Sequence, residues 1–174
     1  MITRKVKVVD AQARWAEDFQ QEQEILHDLL GDIVEGIHHI GSTSVPDLAA
    51  KPIIDILLEV SDIQAFEAQS AKLINIGYIA KGEHGIEGRR YFEKGGDDRT
   101  HHLHAFKTGD PHVYRHLAFR DYLKAHPEVR EKYAHLKKKT AQDVNGDVVR
   151  YREGKSDFVE LHLAKAIDWA RGSY

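Results

Sequence analysis

Apolar residues in the first part of the chain recur at helical spacing. Trp15, Phe19, Ile25, Leu26, Leu29 and Leu30 fall on one side of a 3.6-residue period, after Asp10 as a cap and before Gly31 as a stop. This predicts a long amphipathic helix. Ile33 to Ile40 then reads as a strand ending at Gly41, with Gly36 weakening it. Gly41-Ser42-Thr43-Ser44-Val45-Pro46 suits a tight turn into a short helix with Pro46 near its first position. The clearest alternation is Ile53 to Val60. Ile54, Ile56, Leu58 and Val60 make one apolar face, and Ile53, Asp55, Leu57 and Glu59 make the other.

Asp62 is expected to cap a helix through Ile63, Phe66, Leu73 and Ile76. Tyr78 to Ala80, Arg89 to Glu93 and His101 to Lys107 are expected as strands, the last two joined as a hairpin across Gly95-Gly96. Beyond Asp110 the pattern is helical: His112 to Ala125, Pro127 towards Val144, a turn at Asn145-Gly146, and Asp157 to Ala170. The expected organisation is one domain over residues 1–174, with an α/β part over about 1–108 and a helical part over about 109–174.

Composition changes this picture little. The 41% hydrophobic and 30% charged fractions are those of a globular chain, and no apolar run approaches the roughly 18 residues of a membrane span. The basic N-terminus lacks the apolar core of a secretory signal. With no cysteine there is neither a disulfide framework nor a thiolate metal site, and a cytoplasmic location is expected. A net charge of -3 argues against nucleic-acid binding through broad electrostatics. The unusual number is 12 histidines.

Candidate chemistry gathers at three places. Gly41 and Ser42 offer backbone amides and a hydroxyl of the kind that hold phosphate; the plain alternative is a capped turn. Asp55 is an acid within an apolar strand, which is costly without a cation or donors; a salt bridge to Lys51, Arg89 or Arg90 is the plain alternative. Glu59 shares its face but lies about 13 Å away at ~3.3 Å per residue, too far to share an ion easily. His102 and His104 alternate onto one strand face. With Asp55 they would make a two-histidine, one-carboxylate metal site, or one of them would serve as general base. Arg89, Arg90, Arg115, Arg120 and Lys155 are candidate phosphate clamps. Gly154-Lys155-Ser156 fails as a phosphate loop because Val149 stands where its first glycine belongs. Lys137-Lys138-Lys139 reads as a solvated helix exterior.

The stretch HIGSTSVPDLAAKPIIDILLEV, with His102-Leu103-His104, Phe119-Arg120-Asp121-Tyr122-Leu123, His126-Pro127 and the Tyr151 to Phe158 segment, resembles the GrpB family over nearly the whole chain. The resemblance implies an α/β (α+β) nucleotidyltransferase-like fold: a mixed β-sheet flanked by helices, with a helical C-terminal segment. In that superfold a Gly-Ser turn precedes a strand bearing two acids one residue apart, with a third acid on a neighbouring strand, and the acids hold divalent metal against a nucleoside triphosphate. Carried over, Gly41 and Ser42 match the turn and Asp55 the first acid. Leu57 stands in place of the second, and His102 and His104 occupy the expected strand of the third. Asp47 stands where relatives usually carry glycine.

These readings give an expected site. Asp55, His102 and His104 are the catalytic and metal candidates, with magnesium, manganese or zinc as the divalent ion. Gly41, Ser42, Thr43, Ser44, Lys51, Arg90, Arg120 and Lys155 are the phosphate or nucleotide contacts. The expected partner is a nucleotide or another phosphorylated small molecule, in nucleotidyl or phosphoryl transfer. A non-catalytic nucleotide-sensing module and an RNA-associated accessory protein are the alternatives. No membrane partner is expected.

Overall fold

The alternation of Ile53 to Val60 becomes the second strand of a mixed sheet. The computed structural model describes residues 5–172. These pack as two compact units: one of residues 14–40 and 53–114, the other of residues 41–52, 115–172 and the N-terminal lead-in.

The first unit holds the sheet. Helix α1 (Arg14–Leu30) leads through a single 3-10 turn into β1 (Val34–Ile40). Then come β2 (Ile54–Val60), α2 (Ile63–Glu67), α3 (Ser70–Asn75), β3 (Tyr78–Ala80), β4 (Arg90–Lys94) and β5 (His101–Lys107). The five strands lie in the order β1-β2-β5-β4-β3. β2 and β5 are parallel and the other pairs antiparallel.

Period-two alternation divides this sheet into two chemically different faces. Ile54, Ile56, Leu58 and Val60 of β2 share a face with Leu103 and Ala105 of β5 and Phe92 of β4, all buried. Helices cover it. Phe19 of α1 stacks on His39 with ring centroids 4.7 Å apart. Phe66 of α2 meets Phe92 edge-on at 5.9 Å, a geometry worth about 0.5–1.5 kcal/mol beyond burial. Glu22 of α1 accepts from Tyr78 and Lys94. The second face carries Asp55, Leu57 and Glu59 beside His102, His104 and Phe106, with Tyr91 and Glu93 on β4.

The second unit is helical. Most of α4 (Pro111–Ala125), α5 (Pro127–Asp143) and α6 (Val148–Gly172) pack around Val45, Leu48, Tyr122, Leu123, Val129, Tyr133 and Ala166. Tyr133 and Phe158 stack at 5.0 Å. The lead-in joins it through paired bonds between Val9 and Ala50, of 2.9 and 3.0 Å.

Several expected elements take a different form. Asp10 does not cap α1, which begins at Arg14; its carboxylate pairs instead with Lys138. No α-helix follows Gly41, only the 3-10 turn Ser42–Ser44. The helix expected from Asp62 to Ile76 is two short ones. Asp62 does cap the first, accepting from the amides of Gln64 and Ala65. The bond from Gln69 N to Phe66 O then tightens the chain between them. The last helix starts at Val148 rather than Asp157. Gly154 within that helix is a close approach: a Cβ there would lie 2.5 Å from Thr140 Cγ2 on α5. Lys137 is not on an exterior. It is buried, with its ammonium 4.4 Å from the Tyr133 ring centroid. Asp47 has φ 63, a left-handed backbone that glycine adopts freely and Asp tolerates better than most residues.

Candidate functional site

The parallel register of β2 and β5 sets Asp55 opposite His102 and Leu57 opposite His104. The antiparallel register of β4 and β5 then sets Glu93 beside His102 and Tyr91 beside His104. Period-two alternation turns all of these side chains to one face, so the cluster follows from strand pairing alone.

At its centre a single carboxylate oxygen, Asp55 Oδ1, lies 3.3 Å from His102 Nδ1 and 3.6 Å from His104 Nε2. The first is a long charge-assisted contact, and the second exceeds a direct hydrogen bond. Burial opposes charge on Asp55. Hydrogen bonding from the two imidazoles outweighs it and holds the carboxyl far below the usual range. The Asp55 side chain keeps 28% of its surface open, so water screens part of this effect.

The imidazoles have second partners on their outer edges. His104 Nδ1 faces Arg89 Nη1 at 3.4 Å, and His102 Nε2 faces Arg99 Nη1 at 3.2 Å. Arg89 is buried and donates to the carbonyls of Glu83 (3.1 Å) and His84 (2.6 Å). Its guanidinium carbon lies 4.9 Å from the Tyr91 ring centroid, and burial lowers its pKa. His84 stacks on the same Tyr91 ring at 4.6 Å. Arg99 pairs with Glu93 at 2.9 Å. Burial raises the Glu93 pKa, but Arg99 and Lys81 outweigh it and leave the carboxyl below its ordinary value. The result is a line Arg99–His102–Asp55–His104–Arg89 across two strands and the loops beside them.

The expected metal set is not formed as written. Among the described residues no group of three or more His, Asp or Glu side chains stands so as to hold an ion. The physical reason is visible at both histidines. One ring nitrogen faces Asp55 and the other a guanidinium, which donates and cannot accept. One acceptor is left to a cation, Asp55 Oδ2, since the contacts to both imidazoles are made by Oδ1. One carboxylate oxygen suits a hard ion such as magnesium when its other ligands are waters and substrate phosphates. It does not suit zinc, which takes several protein nitrogens or thiolates.

The expected phosphate contacts separate. Arg90 belongs to the helix-covered face, where Nη2 pairs with Glu67 at 3.2 Å. Gly41, Ser42, Thr43, Ser44, Lys51, Arg120 and Lys155 lie in the helical unit. There the Ser44 hydroxyl donates to the Gly41 carbonyl, and Thr43 is buried. Arg120 pairs with its neighbour Asp121 at 2.9 Å. Lys51 and Lys155 share one aromatic ring, their ammoniums 5.7 and 5.0 Å from the Tyr151 centroid. Gly154-Lys155-Ser156 is ordinary helix, and the Ser156 hydroxyl donates to Glu153 O. Sequence reasoning missed Arg99, Glu93 and Tyr91. The alternation of β4 against the histidine strand is the signal that points to the last two.

The mixed sheet with flanking helices is a nucleotidyltransferase-like fold. Cid1 in complex with its short product ApU aligns with a TM-score of 0.53 at 11% identity, over 75% of this chain and 42% of that one, a likeness of fold alone. The chain belongs to the GrpB family, whose model matches residues 5–165. The crystal structure of GrpB from Enterococcus faecalis superposes with a TM-score of 0.91 at 38% identity, covering 94% of this chain and 99% of that one. The UPF0157 protein YqkA of Bacillus subtilis (strain 168) is 46% identical over 169 residues. That match takes in 97% of this chain but only 49% of YqkA, so the chain spans about half the length of that relative. Among the described residues no helix is long and apolar enough to cross a membrane.

Proposed function

We propose that this chain binds a nucleotide, or another phosphorylated small molecule, together with a divalent cation, at the Asp55 face of its sheet. The observation that carries the reading is the open Oδ2 of an Asp55 held ionised by flanking imidazoles. Arg89 and Arg99 are balanced by Asp55 and Glu93, so the cluster offers a bare phosphate no strong net positive charge. A phosphate that arrives with its own cation suits it better, because the cation meets Asp55 and the arginines stand to either side. The distant neighbour Cid1 has been crystallised bound to MgATP and to MgGTP, as a poly(U) polymerase. The ion, when bound, would neutralise phosphate charge; Asp55 Oδ2 would be its one protein ligand.

Leu57 favours binding without transfer as a second reading. It is fully buried on the Asp55 face, where the superfold carries its second metal acid. Thermal denaturation with nucleotide panels, each with magnesium, manganese, zinc or chelator, tests both. A ligand at about 100 times its Kd adds about 2.7 kcal/mol, which is several degrees for a chain of this size. Stabilisation that needs magnesium or manganese and disappears in Asp55→Asn is expected. No stabilisation by any nucleotide at millimolar concentration overturns the reading. Release of pyrophosphate or inorganic phosphate from the stabilising nucleotide would favour transfer over sensing.

A further inference from the structure

The outer partners of the two histidines assign them a role that the superfold's carboxylates do not have. We propose that Arg89 and Arg99 are positioning residues that lock His104 and His102 in opposite tautomers, so that both rings turn an N–H towards Asp55 Oδ1 and aim the carboxylate at a ligand.

A guanidinium carries N–H groups and no lone pair. A ring nitrogen that contacts it must therefore be the bare acceptor, and the proton of the neutral ring sits on the other nitrogen. His104 turns Nδ1 to Arg89, which puts its proton on Nε2; His102 turns Nε2 to Arg99, which puts its proton on Nδ1. Those protonated nitrogens are the two that face Asp55 Oδ1, at 3.6 and 3.3 Å. The same logic thus holds on both sides of one carboxylate, with the ring reversed.

Neither arginine is free to move away. Arg89 is fixed by two loop carbonyls and lies over Tyr91. Arg99 donates to Gly96 O at 3.0 Å and pairs with Glu93. Arg89 therefore also ties the Glu83–Gly88 loop, closed by the bond between Gly88 N and Glu83 Oε2, to the Asp55 cluster. Both histidine lone pairs are spent on guanidiniums, so neither ring serves as general base or metal ligand while the cluster is intact. The imidazoles work as donors that hold one carboxylate oxygen and aim the other.

The ligand clause rests on the nucleotide reading; the tautomers do not, because they are read in the protein without ligand. Long-range 1H–15N correlation on histidine-labelled protein, assigned with His102→Gln and His104→Gln, should show an Nδ1–H ring at His102 and an Nε2–H ring at His104. Arg99→Met should give His102 a mixture of tautomers and leave His104 unchanged, and Arg99→Lys, which keeps a donor, should restore most of the Nδ1–H form. Magnesium-nucleotide affinity should fall about tenfold in Arg99→Met. The same tautomer at both rings in the unaltered protein overturns the proposal, whatever the variants do. So does a His102 that keeps its tautomer in a folded Arg99→Met. Opposite tautomers with no nucleotide binding would support the positioning role and sink the nucleotide reading alone.

Discussion

Glu22 and Asp55 are both acids set into apolar surroundings in the sheet unit, on opposite sides of the sheet, and they are handled differently. Glu22 is closed. Its Oε1 accepts from Lys94 Nζ and Tyr78 OH, each at 2.7 Å, and only 6% of its side-chain surface is open. Asp55 has longer contacts to neutral-capable partners, and over a quarter of its surface is open. Burial opposes charge at both, and both carboxyls end below their ordinary values because donors outweigh it. The difference is in what remains. Glu22 has two short bonds within its own fold and a third group, His101 Nε2, at 3.8 Å from its other oxygen. Asp55 has one oxygen engaged and one available. A buried acid with short, closed bonds holds an element in place; one held charged by long contacts keeps capacity for a ligand.

The largest expected effect tests the closed side. Glu22→Ala removes the acceptor of two short bonds, strands the Tyr78 hydroxyl under α1 and leaves the Lys94 ammonium, 23% exposed, without its partner. Breaking a buried pair from one side costs about 3–5 kcal/mol, and partial exposure of Lys94 brings the expectation to about 3 kcal/mol. Urea unfolding measures it. A loss under about 1 kcal/mol would mean that Glu22 is no latch, and the contrast with Asp55 would collapse.

Asp55→Asn should cost about 1 kcal/mol in the same assay. The amide oxygen still accepts from His102, the replaced contacts are long, and solvent screens the lost charge. Its main effect is expected in ligand binding. A loss near that of Glu22→Ala would make Asp55 a second structural acid and remove the reason for a site there.

Much of this was legible in sequence because strand alternation is arithmetic. The run Ile53 to Val60 shows which residues share a face with Asp55, and His102 and His104 share one by the same rule. Pairing is less legible. That β2 and β5 are parallel neighbours, bringing Asp55 to His102, is a matter of topology, and only the family resemblance anticipated it. Arg99 was beyond reach for a further reason. Arg99 belongs to the hairpin loop, and its approach to His102 depends on how that loop folds back. The metal expectation stopped at ligand type and spacing, whereas the outcome turns on which ring nitrogens the guanidiniums take. Lys137 misled in the same manner: a lysine reads as surface until Tyr133 is seen against it.

The smallest expected effect concerns pH and separates His101 from its neighbour. His101 lies on the Glu22 face, where burial lowers its pKa; the Glu22 and Asp18 charges act to raise it, and those of Lys94 and His102 to lower it further. A histidine lowered from 6.5 binds fewer protons folded than unfolded below that pH, so stability is full above about 6.5 and falls as pH drops towards the folded value. Glu22, lowered from 4.5, has the same sign in a lower window: its contribution is present above about 4.5 and is lost as pH falls through its folded value. Loss of stability on acidification should therefore come in two stages in urea unfolding taken from pH 8 to pH 3. His101→Gln should flatten the first stage relative to the unaltered protein and leave the second; Glu22→Gln should do the reverse. A wild-type-minus-His101→Gln difference that stays constant across pH 5 to 7 would show that α1 does not suppress protonation of His101. The closed character of the Glu22 face would then rest on Lys94 and Tyr78 alone.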